Sequence, residues 1–137
     1  MMPPPLPAIT AFYAGLLCLL LVALAVPVSR LRMKEGIGLG DGDNRDLARA
    51  IRAHANAVEW VVPLLLLMLI AELNRAPAVL LHGCGIVLLI ARVLHATGLR
   101  RTTGRSTGRF AGAGLTYLMV IVLAAWNLWT FLRLALR

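Results

Sequence analysis

The chain has 137 residues, 60% of them hydrophobic, with a mean hydropathy of +0.82, far more apolar than a soluble domain of this size can hide. A net charge of +8 would raise the question of nucleic acid in a soluble protein. Here the basic residues cluster between apolar runs, where membrane topology and contact with anionic membrane lipids account for them, and no nucleic-acid partner is expected. Cys18 and Cys84 both sit inside apolar runs, at a spacing that suggests neither a metal site nor a disulfide framework.

The first apolar run extends from Leu6 to Val28 without a charge. Its leader, Met1-Met2-Pro3-Pro4-Pro5, lacks the basic segment of a cleavable signal, so the run reads as a retained membrane span. Pro27 and Ser29 mark its expected end. The segment Gly36-Ile37-Gly38-Leu39-Gly40-Asp41-Gly42-Asp43-Asn44 then reads as a turn-rich loop. It is no P-loop, because no Gly-Lys-Ser/Thr follows. It is a poor calcium loop as well, because Arg45 stands where an oxygen ligand is required. Asp43 or Asn44 can cap a helix beginning at about Arg45.

That second helix carries an apolar run from Ala57 to Ala71, interrupted by Pro63, and it opens with Arg52-x-His54-x-Asn56-x-x-Glu59. At about 100° per residue, Arg52, Asn56 and Glu59 fall within roughly 60° of one another on the helix surface. One stripe thus offers a cation, an amide and a carboxylate toward a single neighbour. Ionisable groups at this depth are costly and mark a binding site or a buried polar seam. Trp60 adjoins the stripe, either lining a site or anchoring the helix at the interface. His54 lies about 200° from Arg52 and reads as a packing residue.

Asn74 and Pro77 define a short turn, making the second and third spans antiparallel neighbours. The third run, Ala76 to Leu99, is broken by His82, Arg92 and His95. Arg92 lies well inside it and calls for a carboxylate; Glu59, at comparable depth on the neighbouring helix, is the expected partner. His95 is expected to be a structural hydrogen-bond donor. The segment from Thr102 to Gly108 reads as a mobile loop. The fourth run, Phe110 to Leu132, has no charge, with Tyr117 expected in the core and Trp126 and Trp129 as interfacial anchors.

Each run is near the ~20 residues needed to span a bilayer. The chain therefore reads as one all-α membrane domain, a bundle of four transmembrane helices over residues 1–137. Arg30, Arg32, Lys34, Arg45 and Arg49 lie between spans one and two, and Arg100, Arg101, Arg105 and Arg109 between three and four; only Arg75, Arg133 and Arg137 lie on the other side. The positive-inside rule then puts the first and third loops in the cytoplasm and both termini outside, which is the periplasm if the membrane is a bacterial inner one. Arg109 and Arg32 could complete a ring of positive charge around the stripe, suited to an anionic peptide-like ligand or a developing thiolate.

Arg52-x-His54-x-Asn56-x-x-Glu59 followed by a proline, Arg92-Val93-Leu94-His95, and the Gly-Leu-Gly-Asp-Gly loop resemble the MAPEG family of membrane-associated proteins in eicosanoid and glutathione metabolism, most closely its small bacterial members. The resemblance implies a homotrimer with glutathione as cosubstrate, bound between neighbouring subunits near the cytoplasmic side. By position, Arg52, Asn56, Glu59 and Trp60 would hold glutathione, and Arg92 would be a core arginine paired with Glu59. Arg109 would stabilise the thiolate, with Arg32 a basic residue near the reacting centre.

Three positions depart from the family pattern. Leu99 and Ala113 stand roughly where enzymatic members carry tyrosines, and Ala55 where some carry an arginine. The implied activity is that of a membrane glutathione transferase or peroxidase acting on lipophilic electrophiles. The alternative is a non-catalytic scaffold or small-ligand-binding protein that keeps the trimer. A small multidrug exporter would need a carboxylate within span one, which has none.

Overall fold

The computed structural model describes residues 6–101 and 106–136, the side chains of residues 100 and 101 excepted. Among the described residues there are four helices: α1 (Ala8–Glu35), α2 (Arg45–Leu73), α3 (Ala78–Arg101) and α4 (Thr107–Ala135). All four are long and apolar enough to cross a membrane. Large apolar side chains such as Leu19, Val22, Leu66, Ile86, Ile121 and Leu128 face outward, as a bilayer solvent permits. Part of the loop expected between spans three and four, residues 102–105, lies outside the described residues; Ser106 and Thr107 already belong to the start of α4.

The boundaries have local causes. α1 does not stop at Pro27; it runs two turns further, because a proline removes one backbone donor and a membrane helix tolerates that loss. It ends at Gly36, whose φ of 67° provides a left-handed cap that a β-carbon would strain. The Asn44 side chain accepts hydrogen bonds from the amides of Asp46 and Leu47, starting α2 at Arg45. The Ser106 hydroxyl accepts from the Arg109 amide in the same way at α4.

α1 begins differently. Pro7 supplies no side-chain cap. Instead, Glu72 at the far end of α2 accepts from the Ile9 and Thr10 amides at 2.9 and 2.7 Å. A carboxylate against the positive end of a helix satisfies two orphan donors and pins the two chain segments together.

α2 and α3 form the centre of the bundle, each packing against the other three helices, while α1 and α4 occupy opposite flanks. The buried stripe of α2, Leu47, Ala50, Ala53, Ala57, Val61, Leu64, Met68 and Ala71, repeats every three or four residues. At the end bearing the α2–α3 turn the core holds large side chains, Leu17, Leu64, Met68, Leu81, Leu88 and Leu123. Toward the opposite end it narrows to Leu24, Ala57 and Ala96. The small residues there let the helices close up, and that close approach positions the polar site.

Candidate functional site

The contact between α3 and α4 is the most extensive in the bundle. Gly112 on α4 lies so close to α3 that a β-carbon would stand 2.6 Å from the Ala91 carbonyl oxygen and 2.7 Å from the His95 backbone nitrogen. Gly108, Gly112 and Thr116 are spaced four apart, a stripe of small residues of the kind that lets membrane helices approach. This approach brings α4 within reach of Arg92.

Arg92 is only 1% exposed, yet no carboxylate meets it among the described residues. Its Nη2 donates to the Thr116 hydroxyl at 2.6 Å and to the Gly112 carbonyl at 3.5 Å. Its Nη1 donates to the Asn56 side-chain oxygen at 3.1 Å and to the Asn56 carbonyl at 3.4 Å. The expected Glu59–Arg92 ion pair is therefore absent. About 60° separates Asn56 from Glu59 around α2, so Asn56 takes the position facing α3 while Glu59 turns outward.

Glu59 pairs along its own helix instead. Arg52 Nη1 donates to Glu59 Oε1 at 3.1 Å, and Asn56 Nδ2 donates to Oε2 at 3.3 Å. The stripe read from the sequence thus forms as one connected set, and Asn56 joins it to the buried guanidinium. The Arg52 and Glu59 side chains remain 61% and 49% exposed. A cavity of about 350 Å³ flanks Arg52, bounded by Gly40 and Asp41 of the loop and by Ala48, Ile51 and Ala55 of α2. Ala55 leaves this space open where a longer side chain would enter it.

Arg52, Arg92 and Arg109 all lie within electrostatic reach of His95. The His95 ring has no hydrogen-bond partner among the described residues, contrary to the expected donor role. The Arg32 guanidinium is turned back on its own helix end, donating to the Ile37 carbonyl at 3.3 Å. Trp60 faces α4, its ring edge-on to Tyr117 at 5.3 Å. Tyr117 is 54% exposed, not a core residue; it lies one turn beyond Ala113, beside the polar set. Leu99 is buried.

Sequence reasoning missed Thr116, Gly112 and Tyr117. The four-residue spacing of small side chains in α4 was the available signal for the first two. It also missed Glu72, for which the signal was an acid at the end of an apolar run and a first helix with no capping residue of its own.

The MAPEG family profile matches residues 10–129. The inner membrane protein YecN of Escherichia coli K12 is 39% identical over 121 residues, covering 88% of this chain and 91% of that protein. The protein of the same name from Escherichia coli O6:H1 matches to the same extent. The four-helix fold, the matched profile and these relatives together establish that the chain belongs to the MAPEG family and is an integral inner-membrane protein.

Proposed function

We propose that the protein is a membrane-embedded, glutathione-dependent transferase or peroxidase acting on lipophilic electrophiles, assembled as a homotrimer. One observation carries this reading: a connected guanidinium, amide and carboxylate on the outward face of a membrane-spanning helix. Lipid is a poor cover for an exposed Arg52–Glu59 pair, because ionisable groups facing hydrocarbon are strongly disfavoured. A neighbouring copy and a polar ligand between the copies satisfy both groups.

Glutathione fits the chemistry of the set. It carries carboxylates that Arg52 can hold and an ammonium that can donate to Glu59, while Arg92 fixes Asn56 from behind. Trp60 flanks the set. Arg109, with Arg32 as a second cation, stabilises the thiolate by electrostatic attraction, which lowers the pKa of a nearby thiol. In the transferase reaction the sulfur forms a bond to the electrophilic carbon, the leaving group departs with its electron pair, and the thiol proton passes to solvent. The bilayer delivers the apolar substrate laterally, so proximity supplies much of the rate enhancement.

A second reading is favoured by Leu99 and Ala113, which put apolar side chains where enzymatic members have phenols. It is a trimeric membrane scaffold that retains the fold without the chemistry. Stopped-flow absorbance separates the two. A thiolate signal on mixing glutathione with the purified protein supports the transferase. Absence of that signal, together with no thermal stabilisation by millimolar glutathione, leaves the scaffold.

A further inference from the structure

At the opposite end of the bundle, far from the polar stripe, a cavity of about 540 Å³ opens between the α2–α3 turn and the end of α4. Leu73, Asn74, Arg75 and Pro77 line it from the turn; Trp126, Trp129, Thr130, Arg133 and Leu134 line it from α4. Its chemistry is one-sided. Two arginines enter it, and among the described residues no acid lines it.

Among the described residues no carboxylate pairs with either arginine. The nearby carboxylate, Glu72, is buried and committed to the α1 amides through both oxygens. The Arg133 guanidinium lies over the Trp129 ring, 4.5 Å from its centroid, and Trp129 in turn packs on Trp126 at 5.0 Å. Stacking fixes the direction of the Arg133 fork without consuming its charge. Arg75 projects from a backbone with φ of 60° in the turn, a conformation a non-glycine residue adopts at some cost. The Asn74 side-chain amide is exposed and has no partner among the described residues, so its donors face the cavity unengaged there. The α4 side is held in place by Asn127, whose Nδ2 donates to the Leu67 carbonyl of α2 at 3.0 Å.

Two guanidinium groups and an amide, over an aromatic floor at the end of membrane-spanning helices, match one kind of ligand. It has a compact anionic head with several acceptor oxygens and an apolar body that continues into the bilayer. We propose that this cavity binds an anionic phosphate group, with Arg75 and Arg133 as its two cationic contacts and the head of an anionic phospholipid as its source. The position at the water–lipid boundary favours the lipid over a free phosphate, because the tryptophans and Leu134 meet an acyl-glycerol body that inorganic phosphate lacks. A simple interfacial anchor, the alternative role for these aromatics, would not discriminate between lipid heads of different charge.

Native mass spectrometry of the detergent-purified full-length protein tests the site, with phosphatidylglycerol and phosphatidylcholine added in turn. Wild-type protein is expected to retain phosphatidylglycerol in clear preference to phosphatidylcholine. The R75Q/R133Q variant is expected to bind it roughly 30-fold more weakly, from the loss of two interfacial charge contacts. R30Q/K34Q, which removes two charges at the other end of the bundle, should leave the preference intact. Both variants change exposed side chains, and a melting curve for each confirms that they fold. A second arm measures thermal stabilisation by inorganic phosphate and by glycerol phosphate. Stabilisation by these that is lost in R75Q/R133Q identifies a free phosphate as the source and upholds the site. Equal retention of the two lipids by wild-type protein without phosphate stabilisation, or undiminished phosphatidylglycerol binding by folded R75Q/R133Q, overturns the proposal.

Discussion

The Asn56 side-chain oxygen accepts a hydrogen bond from the Arg92 guanidinium at 3.1 Å, while the nitrogen of the same amide donates to Glu59 at 3.3 Å. A neutral side chain thus stands between a buried cation and an exposed carboxylate, and each of its two ends meets a charge. The amide orientation is dictated by this pairing, since only the oxygen can face Arg92 and only the nitrogen can face Glu59. Asn56 therefore links the buried arginine of the core to the outward-facing ion pair.

Asn56→Ala should be more damaging than Glu59→Gln. The first leaves the Arg92 charge under-satisfied in the core, at about 1.5–3 kcal/mol for a hydrogen bond to a charged group. The second breaks an exposed pair, for which roughly 1 kcal/mol or less is expected. Thermal unfolding in detergent compares them directly. If Glu59→Gln proved the more destabilising, a direct Glu59–Arg92 pair would have to be reinstated.

Gly112→Leu should separate α3 from α4, because the new side chain has the Ala91 carbonyl in its way. The cost is expected at about 1–3 kcal/mol or more, as for other overpacked sites. A double-mutant cycle with Thr116→Val should show coupling, since widening the gap also pulls Thr116 away from Arg92. Strict additivity would mean that the two sites act independently.

Glu72→Gln should loosen the first helix at its start. The substitution replaces an ionised acceptor with a neutral amide that can accept through only one atom, at about 1.5–3 kcal/mol. Hydrogen exchange should report faster exchange of the Ile9 and Thr10 amides, with the middle of α1 unchanged. Unaltered protection at those two amides would show that the carboxylate does not hold them.

Arg52→Ala and Arg109→Ala should separate binding from activation. Removing Arg52 is expected to weaken glutathione by about 10–100-fold, the scale of one charge-assisted, bidentate contact. Removing Arg109 should suppress thiolate absorbance while leaving most of the binding. Isothermal titration and stopped-flow absorbance on the same preparations read the two quantities. Identical losses in both assays for both variants would argue against a division of roles.

The loop between α1 and α2 should face the cytoplasm. Gly38 is exposed and its backbone tolerates a side chain, so Gly38→Cys in a background lacking Cys18 and Cys84 gives a clean labelling site. An impermeant thiol reagent applied to intact cells should leave it unmodified, and should label it after the membrane is opened. Labelling in intact cells would invert the topology.

The sequence by itself determined the four spans, the start of the second helix at Arg45, the turn after Leu73 and the grouping of Arg52, Asn56 and Glu59; it left the cap of that helix open between Asp43 and Asn44. Each depends on a periodicity or a backbone preference that a few neighbouring residues express. It also carried the family resemblance, because the second-helix motif is contiguous. Tertiary structure decided which partner each charge takes. Arg92 found Asn56 and Thr116 and not Glu59, because a rotation of about 60° on α2 and the close approach of α4 at Gly112 settle what lies beside it. Depth along a helix is legible from a sequence; the angle between two helix faces is not. For the same reason the capping of α1 by Glu72 and the emergence of Tyr117 beside Trp60 came only with the packed bundle. In both, the partners lie more than fifty residues apart and meet only through helix packing.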